Sequence, residues 1–192
     1  MIKFCTFALI SCFVFISFSQ QSFAQQKSSL SDCKKWFKNA VADLKKDKKS
    51  FVDKYCKLPF LTGSGGDAYY SYNTIENQST MLESIDEIFA CSNKLNNQKH
   101  LTFKQFNATE ASLSFLSNSF EFNERDENGN KVNPDVKPPY DGLITMGETF
   151  YTVSYECGEK HPSYDSSPVY ELYVIFDKKS QSFRFWAATS GF

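Results

Sequence analysis

The C-terminal residues 169–188 constrain the fold most, because they contain two strand-like runs, 169–176 and 183–186, around the short polar turn 177–181. In the first run Tyr170, Leu172, Val174 and Phe176 fall on one face, and Val169, Glu171, Tyr173 and Ile175 fall on the other. Alternation of aromatic and β-branched residues around a short turn predicts an antiparallel hairpin. Because both faces are largely apolar, the hairpin is expected in the middle of a sheet.

Residues 1–24 resemble a secretory signal peptide. Lys3 precedes an apolar run over residues 4–18, and a polar stretch ends at Ala24 with the small-x-small pattern of a cleavage site. The run is shorter than the ~20 apolar residues that a membrane-spanning helix needs. The sequence therefore predicts a secreted or periplasmic protein with no membrane contact after cleavage. An alternative, lipidation at Cys12, matches the local tetrapeptide, but the apolar run continues beyond that cysteine.

Four cysteines remain after the predicted signal peptide: Cys33, Cys56, Cys91 and Cys157. An even number of cysteines in an exported chain predicts disulfides, here two. Three pairings are compatible with four cysteines, and the sequence leaves all three open. Their wide spacing is unlike that of zinc ligands.

Residues 25–192 are expected to form a single domain that begins with helices. Apolar residues recur at helical spacing from Leu30 to Leu44, where Ser29 or Ser31 is suited to cap the helix. A short second helix follows from Ser50, and a third begins at the capping-box pair Thr80 and Glu83. Strand-like patterns then dominate, in residues 101–106, 111–115, 120–122 and 150–157, with a long polar connection over 123–139.

Composition and motifs exclude several functions. The formal net charge of −1 gives no basic surface for nucleic acid. The glycine-rich segment 62–67 lacks the ending of a phosphate-binding loop and predicts a flexible loop. The run that begins at Asp126 has lysines, Lys131 and Lys137, where a calcium loop requires glycine and glutamate. We therefore predict no metal site, no cofactor and no catalytic residue.

Helices followed by antiparallel strands indicate an α+β domain. The order is similar to the NTF2-like (SnoaL-like, cystatin-like) superfamily. The resemblance rests on Trp36-Phe37 through Leu44 as a first helix, residues 50–60 as a short second helix, residues 83–89 as a third, and the terminal strand pair. It implies a cone of N-terminal helices packed on a curved antiparallel sheet, and pairing through the sheets as a homodimer.

The resemblance leaves two functions open. One is a non-enzymatic binding module that holds a small apolar ligand or a protein partner, with Tyr151, Tyr155, Tyr173 and Trp186 lining the concave face. The alternative is an isomerase or hydrolase that uses a pocket carboxylate and a tyrosine. A protease inhibitor of the cystatin type is a third interpretation, although no loop is specialised for it. The abundant aromatic residues and the lack of a catalytic motif favour the binding module.

Overall fold

The structure is a computed structural model that describes residues 28–66, 69–109, 144, 146–158 and 167–191. The predicted signal peptide, the predicted strands at 111–115 and 120–122, and the connection 123–139 lie outside the described residues. The described part is an α+β arrangement in which most of the helices precede most of the strands. No described helix is long and apolar enough to cross a membrane.

In the described part of the chain, four α-helices form one layer: α1 (Leu30–Leu44), α2 (Lys48–Tyr55), α3 (Gln78–Ile88) and the single turn α4 (Ser92–Leu95). Ser29 caps α1, as predicted, in a reciprocal capping box with Asp32. The other caps differ from the prediction by a few residues, since Asp47 caps α2 and Asn77 caps α3. The side-chain oxygens of Asp47 and Asn77 accept hydrogen bonds from backbone amides of the first turn. The predicted capping residues, Ser50 and Thr80, lie inside the helices and do not reach these amides.

Asp43 holds α1 and α2 together. Its carboxylate accepts hydrogen bonds from the Tyr55 hydroxyl at 2.7 Å, and from the ammonium groups of Lys54 and Lys46 at 3.2 Å each. The hydroxyl and the two cations favour the charged carboxylate, so they lower the pKa of Asp43 to about 2 from its ordinary 3.8.

This lowered pKa predicts a stability change in acid. Because the folded pKa lies below the unfolded one, the contribution of Asp43 is complete above about pH 4 and is lost as the pH falls from 3.8 towards 2. We expect Asp43→Asn to lower the thermal midpoint at neutral pH, and the difference from wild type to vanish near pH 2. Thermal melts at half-unit pH steps measure this. Tyr55→Phe removes the hydrogen bond that lowers the pKa of Asp43 most, so we expect the pKa of Asp43 in this variant to lie closer to 3.8. A difference in thermal midpoint between Asp43→Asn and wild type that persists unchanged at pH 2 would contradict a lowered pKa of Asp43.

The other layer is a sheet to which the described residues contribute six strands. Its strands are β1 (Cys56–Gly66), β2 (Tyr69–Ile75), β3 (Thr102–Asn107), β4 (Thr149–Glu156), β5 (Val169–Asp177) and β6 (Ser182–Gly191). They lie in the order β2-β1-β6-β5-β4-β3. The predicted hairpin is confirmed as β5 and β6, and it occupies the two central positions of this sheet.

Two expectations about the sheet are corrected. The sheet is mixed rather than antiparallel, because β1 runs parallel to β6. The glycine-rich segment predicted as a loop lies largely within β1, where Gly63 pairs with Thr189 of β6 and with Tyr72 of β2. Glycine disfavours strands in isolation, but here the backbone hydrogen bonds of two neighbours hold the segment extended.

The sheet separates two groups of buried side chains. The helix-side core packs the sheet against α1, α2 and α3, and the far-side core lies on the opposite face. The predicted faces of β5 are confirmed, since Leu172 and Val174 belong to the helix-side core while Tyr173 and Ile175 belong to the far-side core. Phe185 lies in the middle of the helix-side aromatic cluster, with ring centroids 4.8 Å from Trp36 and 5.1 Å from Phe89.

A β-bulge interrupts β6 at Trp186. Tyr173 lies opposite Ala187 and Val174 lies opposite Phe185, so Trp186 is the extra residue between them. The bulge places Trp186 and Ala187 together in the far-side core, while Phe185 stays on the helix side. One strand thereby supplies large aromatic side chains to both faces of the sheet.

Candidate functional site

One cleft that the described residues line has a volume of about 600 Å³. Its two sides come from distant parts of the sequence. One side, the helical wall, is the segment 92–100, which contains α4 and a 3₁₀ turn; the other, the sheet wall, is formed by the adjoining ends of β3, β4 and β5. The helical wall contributes Asn93, Lys94, Asn97 and His100, and the sheet wall contributes Thr102, Ser154, Tyr155, Glu156 and Val169.

A disulfide between Cys91 and Cys157 joins the two walls. Cys91 immediately precedes the helical wall, and Cys157 immediately follows the last residue of β4. A hydrogen bond next to the disulfide also joins the two sides: the Tyr155 hydroxyl donates to the backbone carbonyl of Ala90 at 3.0 Å. Burial raises the pKa of Tyr155, so this hydroxyl stays protonated and keeps donating. The relative position of the walls is therefore fixed covalently as well as by packing.

Glu171 is the unusual residue of the sheet, because it places a carboxylate on a central, otherwise mostly apolar strand. Its Oε1 accepts a hydrogen bond from the Ser154 hydroxyl at 2.9 Å, and its Oε2 accepts one from the Tyr173 hydroxyl at 2.8 Å. Two hydroxyl donors offset part of the cost of removing a carboxylate from water. Glu171 thus fixes the direction of the Ser154 hydroxyl, on the same face of the sheet as Tyr173.

Thr152 lies on the same face of the sheet as this network. It is fully buried, directly opposite Tyr173, and its hydroxyl has no hydrogen-bond partner among the described residues. A buried hydroxyl without a partner reduces stability by roughly 1–3 kcal/mol. Thr152, Ser154 and Glu171 thus occupy positions in β4 and β5 where central strands normally bury apolar side chains.

The four aromatic residues that the sequence suggested as ligand contacts divide between the two faces. Tyr155 lines the cleft. Tyr151 is buried in the helix-side core, where its hydroxyl donates to the Ser28 carbonyl at 2.7 Å. Tyr173 and Trp186 pack edge to face in the far-side core, with ring centroids 5.8 Å apart. The structure therefore does not bring the four together around one cavity.

The cysteines agree with the sequence analysis only in part. The predicted presence of a disulfide is confirmed for Cys91 and Cys157. The second bridge is not formed, because Cys33 and Cys56 are free thiols in the helix-side core. Burial raises the pKa of Cys33 to about 12 and raises that of Cys56 as well, so both act as small apolar side chains.

A smaller cleft of about 260 Å³ lies between the end of α1 and α3. Its floor includes the buried side chains of Leu44, Ile85 and Phe89. On its rim Lys48 forms an ion pair with Asp86 at 2.6 Å. Because Lys48 and Asp86 already pair with each other, this cleft offers a ligand fewer unpaired charged groups than the larger cleft does.

Sequence reasoning missed the residues that line the larger cleft, apart from Tyr155. His100 and Ser154 belong to no motif, and Glu171 was read only as one position of an alternating strand. The charge of Glu171 within an apolar strand is the one signal that pointed here. Among the described residues no group of three or more histidine, cysteine or carboxylate side chains is arranged to hold a metal ion.

The fold and the cleft define an α+β protein with a polar cleft beside a disulfide. Comparisons with protein-family models, curated proteins and solved structures found no match for the chain.

Proposed function

We propose that the chain is an exported binding module that holds a small polar molecule in the cleft between the helical wall and the sheet wall. The observation that carries this proposal is that the cleft is polar and preorganised. Seven of its nine lining residues have side chains that are charged, amide-bearing, hydroxyl-bearing or imidazole, if Tyr155 is left aside because its hydroxyl is already engaged. A preorganised site loses less entropy when its ligand binds.

Export is part of the proposal and rests on two features. The disulfide is typical of an oxidising compartment. The N-terminal sequence has the pattern of a signal peptide. The polar lining favours a polar ligand over the apolar one that the aromatic composition suggested.

The hydrogen bonds of Glu171 favour binding over acid–base catalysis. Each of its oxygens accepts a hydrogen bond from a hydroxyl group of the protein, one from Ser154 and one from Tyr173, and Tyr173 is fully buried. A general base must reach a proton of the substrate directly or through one water. With both oxygens engaged, the carboxylate is better suited to orient Ser154 than to abstract a proton.

Native mass spectrometry of the protein purified from its own source tests the proposal. We expect a bound small polar molecule, and we expect Ser154→Ala to weaken its binding about tenfold because one hydrogen bond to the ligand is lost. Ser182→Ala, in a half-buried strand position away from the cleft, serves as the matched control and is expected to bind like wild type. Equal binding by Ser154→Ala and wild type, or an apolar molecule in the spectrum, would contradict the proposal.

A further inference from the structure

The helical wall carries its cleft-lining side chains at regular intervals along the segment. The backbone amides of Lys94, Asn97 and His100 each donate a hydrogen bond to the carbonyl three residues earlier, at 2.8, 3.0 and 3.0 Å. These three residues therefore lie one turn apart from each other, and all of them line the cleft. The neighbouring Leu95 is buried in the helix-side core, so the segment is anchored by one side chain while its polar residues face the cleft.

The two asparagines of the helical wall are held with their oxygens occupied. Oδ1 of Asn93 accepts a hydrogen bond from the backbone amide of Lys94 at 3.0 Å, and Oδ1 of Asn97 accepts one from the backbone amide of Lys99 at 3.3 Å. A backbone N–H only donates, so the side-chain atom that faces it is the oxygen, and this fixes the orientation of both amides. Their NH₂ groups remain as donors towards a ligand.

The charge of the helical wall is positive and unpaired. Residues 88–109 contain three lysines and one histidine but no aspartate or glutamate. Among the described side chains Lys94 forms no ion pair. Glu156 also lines the cleft, but alternate side chains of a strand point to opposite faces. Its carboxylate therefore points away from the face on which Tyr155 contacts the helices.

We propose that the helical wall binds an oxyanion, a carboxylate or a phosphate, so that the ligand of the cleft is a small anionic molecule whose charged group lies at Lys94, Asn97 and His100. This inference rests on the proposed function and names the ligand class of the same site. An ammonium group, amide NH₂ groups and an imidazole N–H are all donors suited to carboxylate and phosphate oxygens. The disulfide at Cys91 fixes the start of the segment, so these donors are held in place before the ligand binds.

A ¹⁵N NMR titration with acetate, inorganic phosphate and acetamide at constant ionic strength tests the inference. Acetamide has the shape of acetate without its charge. We expect acetate or phosphate to shift the backbone amides of residues 93–100 and to bind about tenfold more tightly than acetamide, because only the anions attract Lys94. The anion that binds more tightly distinguishes a carboxylate site from a phosphate site.

Asn97→Asp is the sharpest variant, because aspartate keeps the oxygen that accepts from the Lys99 amide but replaces the NH₂ donor with a negative charge. We expect it to weaken binding of the anion more than tenfold without changing the thermal midpoint. Lys94→Met is expected to weaken binding about fivefold. Lys99→Met makes the same change of net charge in the same segment but outside the cleft, and it is expected to bind like wild type.

Three results would overturn the inference. They are shifts with acetamide as strong as those with acetate, unchanged affinity for the anion in Asn97→Asp, and equal losses in Lys94→Met and Lys99→Met. In each case a neutral polar molecule that binds in the cleft leaves the proposed function standing. If no probe, charged or neutral, shifts an amide of the cleft, the inference and the proposed function both fail.

Discussion

Replacing both Cys91 and Cys157 with alanine is expected to lower the free energy of unfolding by about 4 kcal/mol. The disulfide closes a loop with a sequence separation of 66 residues, and a cross-link of that length strongly restricts the unfolded chain. Chemical denaturation of the oxidised wild type and the double variant measures the difference. Because the disulfide also joins the two walls, ligand binding in the cleft is expected to weaken together with stability.

Reduction supplies the control for this prediction. A thiol reductant is expected to destabilise the wild type to the level of the double variant and to leave the double variant unchanged. The remaining cysteines, Cys33 and Cys56, are already free thiols, so the reductant has no further disulfide to break among the described residues. A double variant that unfolds at the same denaturant concentration as the oxidised wild type would contradict the prediction.

Phe185→Ala is expected to lower the free energy of unfolding by roughly 3–5 kcal/mol. Phe185 is fully buried, and its ring contacts those of Trp36, Phe37, Phe51 and Phe89. Those neighbours come from α1, α2 and the end of α3, so one side chain anchors three helices to a central strand. Truncating it leaves a cavity that the rigid rings around it fill poorly.

Phe185→Leu tests, in the same denaturation experiment, whether the loss of stability depends on the apolar volume of the side chain at this position. A smaller apolar side chain keeps most of the buried area, so we expect the loss to be well under that of alanine. Met146→Ala, at a side chain that is 60 % exposed, is expected to change stability by less than about 0.5 kcal/mol. A loss from Phe185→Ala no larger than that from Met146→Ala would show that this ring does not anchor the helices.

The parts of the fold that the sequence predicts are those with a regular period. The alternation in β5 placed Leu172 and Tyr173 on opposite faces, and the structure puts them in separate cores. The helical spacing from Leu30 to Leu44 likewise matches the buried face of α1. Burial imposes these periods on the side chains, so the periods are visible before the structure is known.

Glycine conceals β1 from such reasoning. Gly63, Gly65 and Gly66 have no side chains to alternate, so nothing in the sequence distinguishes this strand from a loop. Its parallel pairing with β6 also depends on a contact between residues more than 120 positions apart. Only the assembled sheet specifies that contact.

The cleft was hidden for a related reason. Its walls meet because Cys91 pairs with Cys157, and the sequence left three pairings of the cysteines open. The pairing of β3 with β4, which places Thr102 directly opposite Ser154, is a second long-range contact that joins the walls. The abundant tyrosines drew attention to Tyr151 and Tyr173 instead, whose hydroxyls hydrogen-bond within the protein.

We propose that a small polar molecule binds between the helical wall and the sheet wall. The most direct test is a ¹⁵N NMR titration with four classes of probe compound: polyols, carboxylates, amines and amino acids. We predict that at least one class shifts backbone amides clustered at residues 93–102, 154–156 and 169. Shifts confined to the smaller cleft around Ile85 and Phe89, or no shifts with any class, would contradict it.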